Sequence, residues 1–484
     1  MAILEERGIF WWNDEVVPKT HFAPDANAGG KLTIEDSGAI RLDLDEMMPG
    51  DRHPFEALAD SGQSVAKNVQ GLLTNGKHVL LLNLLRRGGT VRTHNVSQER
   101  YLARQCLVSE GAFKGDGRTP LSFSALTVDL AGFEDWLRLG SIEVNRHRNK
   151  LIAKYRAEKD RHYAVPFGRI SIEYDLSGPF PGRSRQHELK LVECARTKII
   201  LNERASVEGC QDFYQRVEEL LILLTSSDHN LDWPTVVPRG HKQHAKLYFM
   251  RYRSGAKAPA AHECLISFPG IADSFGDLFA TLVEKREQYG PGLYLYLATR
   301  RGMTMLVEHR FVNLIWGLEA FDRSGRGKAQ ATQAFADKIA RIISLIPEGK
   351  DRKWLSKHLE KAAEPSLGDR LYSIFSALPL PFDLAALKAF CEECRARRND
   401  ISHFGGQRQR DERYSDIMLD LNRKSDALAA LYHLHLLIVI GVDKELVDFT
   451  TNHNWPLSGM ARDLRAAGLL IQQQERAPSP NDPR

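Results

Sequence analysis

Up to about Arg300 the apolar residues come in short runs bounded by Gly, Pro and Asp. KLTIEDSGAIRLDLDE holds two such runs around Asp36-Ser37-Gly38, and HVLLLNLL, ISIEYDL, KLYFMRY and LYLYLAT follow. Runs of this length, rich in β-branched and aromatic residues, predict strands. Two stretches break the pattern with helical spacing, residues 213–224 (FYQRVEELLILL) and residues 275–288, and are expected to pack against the sheet. After Met303 the period changes to 3.6 residues: FVNLIWGLEAFDR, AFADKIARIISLI, WLSKHLEKAAE, LYSIFSAL, LAALKAFCEECRARRNDISHF and a long apolar closing segment all read as helices. Pro347, Pro365, Pro379 and Pro381 punctuate them. The expected fold class is α+β, with a β-rich domain over residues 1–302 and an all-α domain over 303–455. Residues 456–484 form a short segment and a Pro-rich tail, RAPSPNDPR, expected to be disordered.

Composition narrows the class of protein. A chain of 484 residues, 43% hydrophobic and 26% charged, can bury two or three cores. Its 66 basic and 62 acidic residues leave a net charge of only +4, so attraction to a polyanion has to come from a local patch. The start, MAILEERGIFWWNDE, lacks the basic-then-apolar layout of a signal peptide, and six scattered cysteines fit a reducing cytoplasm. The most apolar stretch, ALAALYHLHLLIVIGV at residues 427–442, is shorter than the roughly 20 apolar residues of a bilayer span and carries two histidines. It reads as a buried helix, with no membrane partner.

The candidate chemistry lies in RRNDISH, residues 397–403, at the end of an amphipathic stretch. Arg398 and His403 are separated by four residues. Spacing alone does not single them out, because Arg239 and His244 match it, and Arg352/His358 and Arg156/His162 come close. Context separates them. Arg239 follows a proline ahead of a strand-like run, whereas Arg398 sits in a helical domain with FVNLIWGLEAFDR before it and a long apolar helix after it.

That arrangement resembles the HEPN superfamily, whose helical domains end in an Arg, four to six residues and a His, with a polar residue directly after the Arg. Here residues 311–449 would form the domain, and the polar residue is Asn399. Glu319, in WGLEAF, resembles the acidic residue members often carry on the first helix. GIFWWNDE, GGKLTIEDSGAIRLDL and LVEHRFVNLIWGLEAF extend the likeness to the ApeA group of bacterial anti-phage proteins, in which a β-rich domain precedes the HEPN domain. The resemblance implies an endoribonuclease of abortive infection, acting as a homodimer on RNA such as tRNA. It would leave 2′,3′-cyclic phosphate and 5′-hydroxyl ends, and a phage-derived trigger would act through the β-rich domain.

Elementary chemistry agrees that little else is needed. RNA carries its own nucleophile, the 2′-OH, so the enzyme has to remove that proton, stabilise the phosphorane and protonate the leaving 5′-oxygen. An imidazole with an unperturbed pKa near ~6.5 can serve as base or acid, and a guanidinium can hold phosphate oxygens while staying charged. No metal and no cofactor is called for. Residues five apart on a helix lie about 140° apart, so Arg398 and His403 do not share a face, whereas Asn399 and His403 do. Two protomers meeting along this helix would supply both an acid and a base.

The same residues have plainer readings. Arg398 could be a surface ion-pair partner, and His403 a C-terminal residue responding to the helix dipole. Asp400 is either a third catalytic group or a solvated or Arg-paired carboxylate. Six arginines (Arg395, Arg397, Arg398, Arg408, Arg410 and Arg413) crowd this segment against Asp400, Asp411 and Glu412, and Arg397, Arg408 and Arg410 are the candidate RNA contacts. Cys391 and Cys394 form a CxxC without a second pair, which favours buried thiols over zinc. His229, His241, His244 and His262 lack a tight metal-binding pair, and Trp11 and Trp12 read as core or edge residues, with stacking on a base or sugar as the alternative. A competing function is a catalytically inactive HEPN module that dimerises and binds RNA or a nucleotide; a third makes the β-rich domain a small-molecule or glycan binder.

Overall fold

The computed structural model describes residues 1–49, 62–90, 98–113, 120–178, 190–239, 243–301, 305–326, 333–359, 365–404, 413–453 and 455–471, with the side chains of 325, 326, 333–336, 403, 404, 449–453 and 455–458 outside that description. The fold is α+β, in two units: one of residues 1–218 and 229–258, the other of residues 219–228 and 259–484.

The first unit begins with six antiparallel strands: β1 (Ala2–Trp12), β2 (Ala28–Glu35), β3 (Ile40–Leu44), β4 (Val69–Leu73), β5 (His78–Thr90) and β6 (Gln98–Ser109). They pair in the order β6-β3-β2-β1-β4-β5, and pairing of β5 with β6 closes the ring into a barrel. Strict alternation in β2 and β3 sends Leu32, Ile34, Ile40, Leu42 and Leu44 inward to meet Phe10, Trp12, Val79, Leu81 and Tyr101. Trp11 and Trp12 are both buried, as core residues should be. Closure needs glycine at one point, because a Cβ on Gly8, between β2 and β4, would lie 2.5 Å from the Leu72 carbonyl oxygen.

Only the first half of β6 pairs with β3; its second half pairs with β14 (Ala245–Phe249) and so leads out of the barrel. The sheet continues through β13 (Thr235–Pro238), β7 (Phe123–Asp129), β12 (Val192–Ala205) and β11 (Gly168–Ser177) to β10 (Arg161–Val165). Between β7 and β10 the chain forms a short helix, α1 (Glu134–Leu137), and a separate two-stranded hairpin of β8 (Ile142–His147) and β9 (Lys150–Tyr155). α2 (Val207–Thr225) follows β12, and the division between the units falls inside it.

In the second unit every described helix or strand is helical: α3 (Phe268–Ile271), α4 (Phe275–Lys285), α5 (Gly290–Arg300), α6 (Val307–Arg326), α7 (Gln333–Ser344), α8 (Lys350–Leu359), α9 (Leu367–Phe375), α10 (Leu384–Phe404), α11 (Tyr414–Val439), α12 (Lys444–His453) and α13 (Trp455–Ala466). The run LYLYLAT, expected as a strand, is part of α5. Its Leu293, Tyr296 and Leu297 are buried at helical spacing while Tyr294 is exposed, so an alternating Leu/Tyr text satisfies both periods, and Pro291 in the first turn favours the helix. α5 approaches α6 closely, since a Cβ on Gly292 would sit 2.6 Å from the Gly317 carbonyl oxygen.

α6 buries Phe311, Leu314, Ile315 and Leu318, α9 buries Leu371 and Phe375, and α10 buries Leu387, Cys391 and Cys394. α11 is buried along most of residues 427–437. There His433 donates from Nε2 to the Leu223 carbonyl at 2.7 Å and accepts the Tyr296 hydroxyl at Nδ1, two bonds that only a neutral imidazole makes. Burial pushes its pKa down to about 3, and that of His435, also buried, down to about 4. α9 starts on Ser366, whose hydroxyl accepts the Asp369 amide and donates to the Asp369 carboxylate. No helix among the described residues is long and apolar enough to cross a membrane.

Candidate active site

α10 changes character along its length. Leu387, Phe390, Cys391 and Cys394 recur every three or four residues and anchor its first part in the core. From Arg395 the sequence turns basic, and each successive residue projects about 100° further around the helix. Each arginine reaches a different carboxylate. Arg395 pairs with Glu392 on its own helix at 2.8 Å, and Arg397 reaches Asp420 of α11 at 3.1 Å. Asp420 also meets Lys424, which lies 3.2 Å from Glu393, so Arg397 belongs to an ion network joining α10 to α11.

Arg398 points the other way, to α6. Its Nη2 donates to Oε2 of Glu319 at 3.1 Å, and its Nη1 to Oδ1 of Asn399 at 3.2 Å. The second oxygen of Glu319, Oε1, meets Arg323 at 2.9 Å. One carboxylate thus faces two guanidiniums, and this group keeps a net positive charge. Arg398 retains 25% side-chain exposure against 17% for Glu319, while its Nε is buried and makes no hydrogen bond to a described residue. A pair this open adds about 1 kcal/mol or less to stability. Its physical effect is to fix the plane of a guanidinium whose Nη1 and Nη2 each use one N–H and keep a second.

Asn399 has its carbonyl oxygen turned to Arg398, which leaves its amide N–H groups as donors on the helix face shared with residue 403. Asp400 is buried, as a solvated surface carboxylate would not be. His403 lies in the last turn of α10, and its side chain is outside the described residues, as are Arg408 and Arg410 altogether. Glu319 and Arg398 are therefore brought together, Asn399 joins them, and Arg397 is turned toward α11.

Two residues escaped the sequence reading. Arg323 stands four residues after Glu319 on a predicted helix, a spacing that would have flagged it. Trp316 lies three residues before Glu319 and so on the same face; it is 45% exposed on a helix whose other large apolar side chains are mostly buried.

The other candidates settle differently. All six cysteines are free, Cys391 and Cys394 are buried, and burial pushes the Cys391 thiol up to about 12 and Cys394 well up, so neither is a ready thiolate. His229 bonds the Ala256 carbonyl and packs on Phe133, while His241 lies outside the described residues. Among the described residues no group of three or more His, Cys, Asp or Glu side chains is placed to hold a metal ion.

Comparison with known families decides the kinship. A family model described as ApeA N-terminal domain 1 matches residues 5–281, more than half of the chain, and one described as Apea-like HEPN matches residues 312–446. The chain belongs to the ApeA family. The HEPN match takes in Glu319, Arg398, Asn399, Asp400 and His403, so the ion pair between α6 and α10 lies within the ApeA-like HEPN domain. HEPN domains are generally ribonucleases and commonly dimerise, and membership supports a nuclease-type role in anti-phage defence. Neither curated proteins nor solved structures gave a match.

Proposed function

We propose that this ApeA-family chain is a metal-independent endoribonuclease of an abortive-infection system, acting in the cytoplasm on RNA that includes tRNA. The observation that carries the reading is Arg398, held by Glu319 and Asn399 with donors to spare, five residues before His403 on the same helix. Arg398 holds the non-bridging oxygens of the scissile phosphate and gathers the charge of the phosphorane. His403 moves the proton, as base toward the 2′-OH in one protomer and as acid toward the 5′-oxygen in the other. A homodimer pairing two α10 ends supplies both, with Asn399 orienting imidazole or substrate and Asp400 supporting the end of α10. Arg408 and Arg410 contact flanking phosphates, and the β-rich unit receives a phage-derived trigger.

The experiment is to incubate purified protein with tRNA in excess EDTA and map the new ends. Cyclic phosphate at 3′ ends and hydroxyl at 5′ ends are expected. Cleavage abolished by EDTA, or 5′-phosphate ends, would contradict the mechanism.

A further inference from the structure

The hairpin of β8 and β9 stands apart from the twelve-stranded sheet, and among the described residues it pairs only with itself. Its register places Ile142, Val144, Arg146, Leu151, Ala153 and Tyr155 on one face and Glu143, Asn145, His147, Lys150, Ile152 and Lys154 on the other, with Arg148 and Asn149 at the turn. Neither face is covered: five of the six residues of β8 and four of the six of β9 are exposed, Val144 at 60% and Leu151 at 65%. A lone ribbon is marginally stable in water, so its root matters. There the Gly140 and Ser141 amides both donate to Oε2 of Glu193 on β12, at 3.0 Å each, and Arg156 N bonds Ser141 O. At ~3.3 Å per residue each strand spans roughly 20 Å.

Charge says what such an arm is for. From Ser141 to Arg161 there are seven Lys and Arg against three Asp and Glu, an excess of four that equals the whole chain's excess of 66 over 62. The rest of the chain is balanced. Basic residues gather at the tip, where Arg146, Arg148 and Lys150 make no ion pair with a described residue, while the one carboxylate of the ribbon, Glu143, sits near the root opposite Lys154. A basic tip with no neutralising acid among the described residues fits a polyanion, and a flat ribbon suits the wide, shallow minor groove or the strand backbone of RNA.

We propose that the β8–β9 hairpin is an RNA-backbone arm, in which Arg146, Arg148 and Lys150 bind phosphates of the substrate. Such contacts position RNA without reading its sequence. The inference rests on RNA being the substrate.

The test uses full-length protein with His403→Ala, so that bound RNA stays intact, with and without the triple change Arg146→Gln, Arg148→Gln, Lys150→Gln. Binding of fluorescent tRNA is followed by anisotropy across a salt series, with circular dichroism confirming the fold. Removing three phosphate contacts should weaken binding at least tenfold at low salt and make the slope of log K against log salt shallower by about 2, from ~0.7 per phosphate. Equal affinity and slope in a parent that binds RNA would overturn the arm alone. A parent that fails to bind RNA would overturn both the arm and the RNA substrate. Val144→Ser with Leu151→Ser should leave the sedimenting mass unchanged; a drop in mass would show a second copy seated on the hairpin and overturn the arm.

Discussion

Two arginine–glutamate pairs within the helical unit, alike in chemistry, differ in what they leave over. Arg286, just after α4, grips Glu219 through both Nε and Nη2 at 2.9 and 2.8 Å, lies over the Tyr294 ring at 3.5 Å and is 1% exposed. Its donors face inward and its plane is covered, so it can do nothing but hold helices together. Arg398 gives one Nη to Glu319 and the other to Asn399 and keeps a quarter of its side chain in solvent, although its Nε is buried. A buried guanidinium that is fully engaged serves structure, whereas one held by a single N–H from each Nη keeps a second N–H on each, and these are the donors a phosphate would use under the proposed function.

The largest effect separating these regions is on stability. Arg286→Met leaves the Glu219 carboxylate buried without its partner and should cost ~3–5 kcal/mol, read from urea midpoints, whereas Arg398→Met should cost under ~1 kcal/mol. Equal losses would erase the distinction. Next comes pH. His433 and His435 have folded pKa values pushed down to about 3 and about 4 by burial, below the ordinary value near 6.5, so protons favour the unfolded chain. Stability is therefore full above pH 6.5 and falls as pH drops from there toward the folded values. The loss should be roughly 2 kcal/mol per histidine between pH 7 and pH 5, and His435→Phe, whose ring already packs edge-on to Phe321, should remove about half of it. An unchanged pH profile in that variant would contradict the burial argument. Glu319→Gln keeps the shape but slackens Arg398, and RNA cleavage should slow roughly tenfold, ~1.4 kcal/mol, with little change in melting temperature. Smallest is Arg323→Ala, an exposed partner on the same carboxylate, expected within about 0.5 kcal/mol in stability; a larger loss would mean that Glu319 relies on it.

Legibility in the sequence follows the same divide. The β2–β3 hairpin and α10 could be read because each is half-buried and its text alternates or repeats with one period. α5 could not, because LYLYLAT fits both periods until Gly292 meets Gly317. Strands such as β12, with VECARTKIILNERA, mix charge into the alternation and were not picked out. At the site, Arg398 and Glu319 were nameable only through family likeness, since 79 residues separate them and no local rule joins them. Which of two adjacent arginines would face α6 and which α11 depends on helix packing, and packing is not written in the spacing of RRND. Arg323 was within reach of the i,i+4 rule, and Trp316 was not, because its exposure exists only once α6 is set in the bundle.

Under the proposed function Arg398, together with His403, performs RNA cleavage. The most direct test is the single-turnover cleavage rate of Arg398→Ala against wild type, both verified as folded, with Arg286→Lys as a comparison at the buried pair. Loss of an oriented phosphate ligand should slow cleavage at least ~100-fold in Arg398→Ala, while Arg286→Lys that remains folded should keep its rate. Full-rate cleavage by folded Arg398→Ala would remove Arg398 from the chemistry.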